Sequence, residues 1–146
     1  MARSIEREIR VEATPEVVYE VVSSPEHLCA WWPDEVDLDP KPGATGTVTF
    51  RQDNGKMVEP LTVVEADPPR RFSFRWAYTD EPATAENSVL VTFDLIPADG
   101  GTLLRFAETG YDDADKSDDL LADHTSGWDY FIPRITPYAE GLANRL

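Results

Sequence analysis

The sequence predicts an α+β fold: a curved antiparallel sheet of six to seven strands, two short helices after the first strand, and a long C-terminal helix against the sheet. Three observations predict it. Apolar residues recur at alternate positions in successive segments from Ile5 to Phe106, the period of half-buried strands. Two triplets, Thr14-Pro15-Glu16 and Ser24-Pro25-Glu26, follow the first of those segments directly. Beyond Ser117 the apolar spacing changes to three and four residues, the repeat of a helix with one buried face.

Ile5 to Val11 alternates apolar and charged residues and reads as the first strand. Thr14 then suits a helix N-cap, Pro15 the first helical position and Glu16 the positive end of the helix dipole. Val17, Val18, Val21 and Val22 supply that helix's apolar stripe. Ser24-Pro25-Glu26 repeats the signal and opens a second helix to about Ala30. Val36 and Leu38 alternate with acids in a short strand, Pro42-Gly43 turns the chain, and Val48 and Phe50 share a face opposite Thr47, Thr49 and Arg51. Asp53-Asn54-Gly55 is a hairpin signal, since Asn-Gly accepts the positive φ of tight turns. The next strand runs from about Met57 to Glu65. Phe72, Phe74, Trp76 and Tyr78 stand at alternate positions, which predicts four aromatics on one face. Val89, Val91, Phe93 and Leu95 repeat the pattern, and Ala98-Asp99-Gly100-Gly101 turns into a last strand carrying Leu104 and Phe106. Short turns between successive strands imply an antiparallel meander.

The helical stripe comprises Leu121, His124, Trp128, Phe131 or Ile132, Ile135, Tyr138 or Ala139, and Leu142, with Ser117-Asp118-Asp119 as its cap. Pro133 and Pro137 each remove a backbone donor and crowd the preceding turn, so a kink or break is expected between Trp128 and Pro137.

All 146 residues fit one domain, and 41% hydrophobic with 28% charged residues is ordinary for a globular chain. No apolar run nears the roughly 20 residues that span a bilayer, so no membrane insertion is expected. The first residues lack a signal peptide's apolar stretch, and the single Cys29 forms no internal disulfide. A cytoplasmic location is the expectation. Thirteen basic against 28 acidic residues give a net charge of −15, which repels phosphate backbones and argues against a nucleic-acid partner. That charge otherwise reads as solubility.

The order of strand, two short helices, six strands and long helix resembles the helix-grip fold of the START-like (SRPBCC) superfamily, to which the birch-pollen-allergen family belongs. Within it the chain is similar to the group named for the activator of heat-shock-protein-ninety ATPase homologues. The resemblance is carried by Ile9 to Val22 (IRVEATPEVVYEVV), Ser24 to Trp32 with its paired tryptophans, Gly55 and Glu59-Pro60, and Pro68 to Trp76 (PPRRFSFRW). Gly101-Thr102-Leu103-Leu104 and Gly127-Trp128 complete it. It implies an apolar cavity between sheet and helix, since relatives bind lipids, sterols, polyketides or plant hormones. It also raises a chaperone as a possible partner, although the namesake's activity belongs to a longer protein. Pro133 and Pro137 depart from the family's uninterrupted terminal helix.

The residues expected to line or fill the space are Trp31, Trp32, Phe50, Phe72, Phe74, Trp76, Phe93, Phe106, Trp128 and Phe131. Two polar residues fall among them. His124 lies on the helix stripe, and Glu108 follows Leu104 and Phe106 on one strand face, so the two can pair to fix a ligand or move a proton. The alternative is Glu108 in water at the strand's end and His124 at the rim. Arg71 and Arg75 point opposite to Phe72 and Trp76 and are read as solvated charges. The acids from Asp112 to Asp119 lack the glycine and terminal glutamate of a calcium loop, and two distant histidines make no metal centre, so no cofactor is expected. The leading expectation is a binding protein for a small hydrophobic or amphipathic ligand rather than a catalyst. A cyclase- or hydrolase-type enzyme using Glu108 and His124, and a protein-interaction module, are the alternatives.

Overall fold

The computed structural model describes residues 3–79 and 81–145. Strands β1 (Ile5–Val11), β2 (Glu35–Asp37), β3 (Thr45–Gln52), β4 (Gly55–Asp67), β5 (Arg71–Trp76), β6 (Val89–Ala98) and β7 (Gly101–Thr109) form one antiparallel sheet in the order β1-β7-β6-β5-β4-β3-β2. Helices α1 (Pro15–Ser23) and α2 (Pro25–Trp31) lie between β1 and β2, while α3 (Asp118–Phe131) and α4 (Ile135–Ala143) follow β7. Strands β2 to β7 are the expected meander, and β1 closes against β7. This is the helix-grip α+β architecture.

Local chemistry explains the ends of these elements. Thr14 Oγ1 accepts the Val17 amide at 3.3 Å, and Pro15 occupies the first turn of α1. Ser24 ends α1 by donating its amide to the Glu20 carbonyl and is also the cap of α2, without a side-chain bond. Between β6 and β7, Asp99 (φ 49°) and Gly100 (φ 84°) both take left-handed backbone, as a two-residue turn matched to strand twist requires. The β3–β4 turn departs from expectation. Gln52 pairs with Gly55, so the turn residues are Asp53 and Asn54, and of the three only Gly55 has positive φ.

The aromatic row on β5 is also shorter than its spacing predicts. Ala77 adopts φ 62°, which ends the pleat at Trp76, and Tyr78 turns aside to hydrogen-bond Thr62. The remaining rings interlock instead. Phe72 pairs across the sheet with Phe93, and Phe93 with Phe106, all three fully or nearly fully buried. Val18, Val21 and Val22 of α1 belong to the same core. Trp31 is buried beside them and donates Nε1 to the Val21 carbonyl at 2.8 Å, which fixes α2 on α1.

The C-terminal helix breaks where expected. Ile132–Arg134 form a single 3₁₀ turn containing Pro133, whereas Pro137 falls in the first turn of α4, where an amide would have no intrahelical partner. The two halves then do different work. α4 packs on α1, α2 and β1 and buries Ile135 and Ala139. α3 fully buries only Trp128 and keeps His124 and Phe131 half-buried, so it stands away from the sheet. Among the described residues no helix is long and apolar enough to cross a membrane.

Trp31→Ala removes a large fully buried side chain and its hydrogen bond, and is expected to lower unfolding free energy by about 3–5 kcal/mol in urea titrations.

Candidate ligand cleft and its buried polar network

Strand alternation puts Leu104, Phe106 and Glu108 on the inward face of β7, and Glu108 is completely buried. A carboxyl group withdrawn from water must find partners or lose several kcal/mol. Glu108 has three, from three elements. Trp76, the last residue of β5, donates Nε1 to Oε2 at 2.7 Å. Tyr111, just beyond β7, donates its hydroxyl to Oε1. His124 of α3 places Nδ1 2.7 Å from the same oxygen.

The network constrains the histidine tautomer. An indole nitrogen can only donate. Burial and the neighbouring Glu108 carboxylate push the Tyr111 phenol far above its ordinary range, so it keeps its proton and donates as well. With Glu108 accepting from all three groups, Nδ1 of His124 carries the hydrogen it presents. In the neutral ring the lone pair is then on Nε2. The imidazole is held flat by Trp76, with centroids 4.9 Å apart and planes inclined by 31°.

His124 also lines an open cleft of about 310 Å³ between α3 and the β3–β4 hairpin. Trp32, at the end of α2, contributes its inner wall. Phe50, Arg51 and Gln52 come from β3, Met57 and Glu59 from β4, and Trp76 from β5; α3 adds Asp123, His124, Gly127, Trp128 and Phe131. Nδ1 is taken up by the buried Glu108, so Nε2 is the ring nitrogen left for a ligand in the cleft that His124 lines. Trp32 organises the apolar wall, with centroids 5.1 Å from both Trp76 and Trp128 and 5.9 Å from Phe50.

Glu59 occupies the inward series Glu59, Leu61, Val63 on β4 and is half-buried in the cleft wall. Burial raises its pKa above the usual carboxylate range; His124 and Lys116 oppose this, and Glu108 reinforces it. Its Oε2 is buried without a partner, and so is Nε1 of Trp128.

The twelve residues named from sequence thus divide. Trp32, Phe50, Trp76, His124, Trp128 and Phe131 share the cleft wall, and Glu108 stands directly behind it. Trp31, Phe72, Phe74, Phe93 and Phe106 do not reach it. Their rings meet one another, with Phe93 5.6 Å from Phe106 and 6.2 Å from Trp31, and they fill the space inside the curved sheet. The space inside the curved sheet is therefore packed, and the open cleft lies between one end of the sheet and α3, the first half of the C-terminal helix. Sequence reading missed Glu59 and Tyr111. Parity with Leu61 and Val63 was a usable signal for Glu59. Tyr111 lies in a polar loop with no periodicity to mark it. Arg71 is exposed and pairs with Asp94 and Glu65. The acidic loop is bridged by Arg3, which binds Asp112 and Asp118, and among the described residues no cluster fit to hold a metal ion occurs.

Comparison with known proteins agrees with this architecture. The profile of the family described as "Activator of Hsp90 ATPase homolog 1-like protein" matches residues 12–140, and the chain belongs to that family. Among solved structures, protein MLL2253 from Mesorhizobium loti is 23% identical with TM-score 0.73, over 98% of both chains. The Aha1 protein of Colwellia psychrerythraea, solved as a dimer, is 20% identical with TM-score 0.75, covering 94% of this chain and 96% of that one. DynU16, a protein of the dynemicin biosynthetic locus, is 21% identical with TM-score 0.74, and the match covers 94% of this chain but 47% of DynU16. No curated protein matches the sequence.

Glu108→Ala strands the Trp76, Tyr111 and His124 donors and is expected to cost about 3–5 kcal/mol in equilibrium unfolding. Tyr111→Phe, which removes one hydrogen bond to a charged group, should cost about 1.5–3 kcal/mol.

Glu59 carries a pH signature of opposite sign to the usual acid. Its folded pKa lies above the unfolded one, so the native state binds more protons and stability falls as pH rises through that interval. Glu59→Gln should raise the melting temperature at pH 8 and change it little at pH 4, as read by thermal scans of both proteins at both pH values.

Proposed function

We propose that this protein binds a small amphipathic molecule with a one- or two-ring body in the cleft beside α3. One observation carries the reading: an open cleft of about 310 Å³ is walled by Trp32, Phe50, Trp76, Trp128 and Phe131, with Glu59 and His124 among its few polar residues. The volume lies at the lower end of the range of about 300–1,000 Å³ usual for small-molecule sites, and aromatic walls with few polar groups suit a flat ring. Membership of a biosynthetic locus by the structural neighbour DynU16 fits a small-molecule role. The single thiol, Cys29, is exposed and suits a reducing compartment, so we take the site of action to be the cytoplasm.

The family description supports a second reading, a chaperone-associated module. Large apolar side chains that are exposed among the described residues are Met57, Val58, Val64 and Tyr130, and Met57 already belongs to the cleft. The cleft reading uses more of the buried structure.

Gly127 offers the test. It lines the cleft from α3, and a Cβ built there meets nothing within 4 Å. Gly127→Leu, whose Cβ has free space, should therefore occupy the cleft while strengthening the helix by up to about 1 kcal/mol. Titration with 2-naphthol by calorimetry should give a dissociation constant of roughly 10–100 μM for the natural protein, from about −0.5 to −0.6 kcal/mol per non-hydrogen atom. In Gly127→Leu binding should vanish and thermal stability hold. Equal binding by both proteins would sink the assignment.

A further inference from the structure

We propose that the cleft is a proton-transfer site for enolisable carbonyl compounds, in which His124 acts as base and Glu59 as acid. This rests on the ligand reading above and deepens it. The geometry on the base side is that of a carboxylate-backed imidazole. Glu108 Oε1 lies 2.7 Å from Nδ1 of His124, and the carboxyl group is itself held by Trp76 and Tyr111, so it cannot turn away. Such an arrangement leaves Nε2 free to take a proton and keeps an anion beside the imidazolium that results. Nδ1 is committed to a buried partner, and His124 itself lines the cleft. Mere packing would not need a fully buried carboxylate with three donors from three elements.

The acid side is Glu59. Its residue lies in the same cleft wall, with Oε2 buried and unpaired. Burial biases its carboxyl group toward the protonated form, the form able to donate a proton. His124 and Glu59 thus present a base and an acid to one apolar space.

The step balances without a further reagent. The C–H bond adjacent to a bound ketone breaks and its proton passes to Nε2. The electron pair forms the carbon–carbon double bond, the carbonyl π pair moves to oxygen, and that oxygen takes the proton of Glu59. The imidazolium, paired to Glu108, trades its Nε2 proton with solvent through the open cleft and then delivers one either to the same carbon or to the far carbon of a conjugated system, while the enol returns its own to Glu59. The first outcome is exchange and the second is double-bond migration. The substrate class is a small ring-bearing ketone.

The probe is 2-tetralone in deuterium oxide, with loss of its C1 proton signal followed by NMR and its binding followed separately by quenching of tryptophan fluorescence. The natural protein should speed exchange well above buffer. His124→Gln should lose about 10²-fold of that acceleration while binding changes by less than about threefold. Glu59→Gln, which breaks no protein hydrogen bond, should lose about tenfold and serves as the second arm if His124→Gln folds poorly. Binding without exchange above buffer, or full exchange in both variants, overturns proton transfer and leaves the ligand reading standing. Failure of the natural protein to bind 2-tetralone at all overturns both.

Discussion

The buried carboxylate of Glu108 is the constraint on which the rest of this molecule turns. It sits on a strand face otherwise given to leucine and phenylalanine, where an unpaired charge would be strongly unfavourable. The partners that make it tolerable come from the end of β5, the loop after β7 and the middle of α3. Packing between those elements is non-directional. The three hydrogen bonds are directional, so they set where α3 lies over the sheet and which face of His124 it shows. Site and scaffold are thus one feature: the bonds that satisfy Glu108 also orient the imidazole.

The break in the C-terminal helix completes that arrangement. α4 behaves as an ordinary core helix, buried through Ile135 and Ala139 against α1, α2 and β1. α3 is released by the 3₁₀ turn at Ile132–Arg134 and anchors through Trp128 and His124 instead. An unbroken helix following α4's course would have no reason to leave space beneath its first half. Pro133 thereby gives one helical segment two tasks, closing the core and roofing a cleft.

Much of the fold was legible because strand and helix periods are local properties. The alternation of β6 and β7, the cap at Thr14, the cap at Ser117 and the break at Pro133 were all read from neighbours within a few residues. The pairing of Glu108 with His124 was also suggested by parity and stripe, since each stood at an inward position of its own element. Where reading failed, the cause was non-local. Tyr78 keeps the parity of the β5 aromatics, yet a left-handed Ala77, whose carbonyl is held by Lys116, carries it off the strand face. Phe72, Phe93 and Phe106 look like pocket residues in sequence and are core residues in space, because adjacent strands bring their rings together.

By itself, then, the sequence determined the order of elements, the inward faces and the presence of two ionisable groups on those faces, because each follows from covalent spacing and side-chain chemistry. Only the tertiary structure decided that Glu108 is wholly buried and that Tyr111 and Trp76 share it with His124. It also decided that Glu59 faces the same cleft and that the open volume lies beneath α3 rather than inside the sheet. Those outcomes depend on how residues far apart in the chain compete for one interior, and no local pattern encodes the result of that competition.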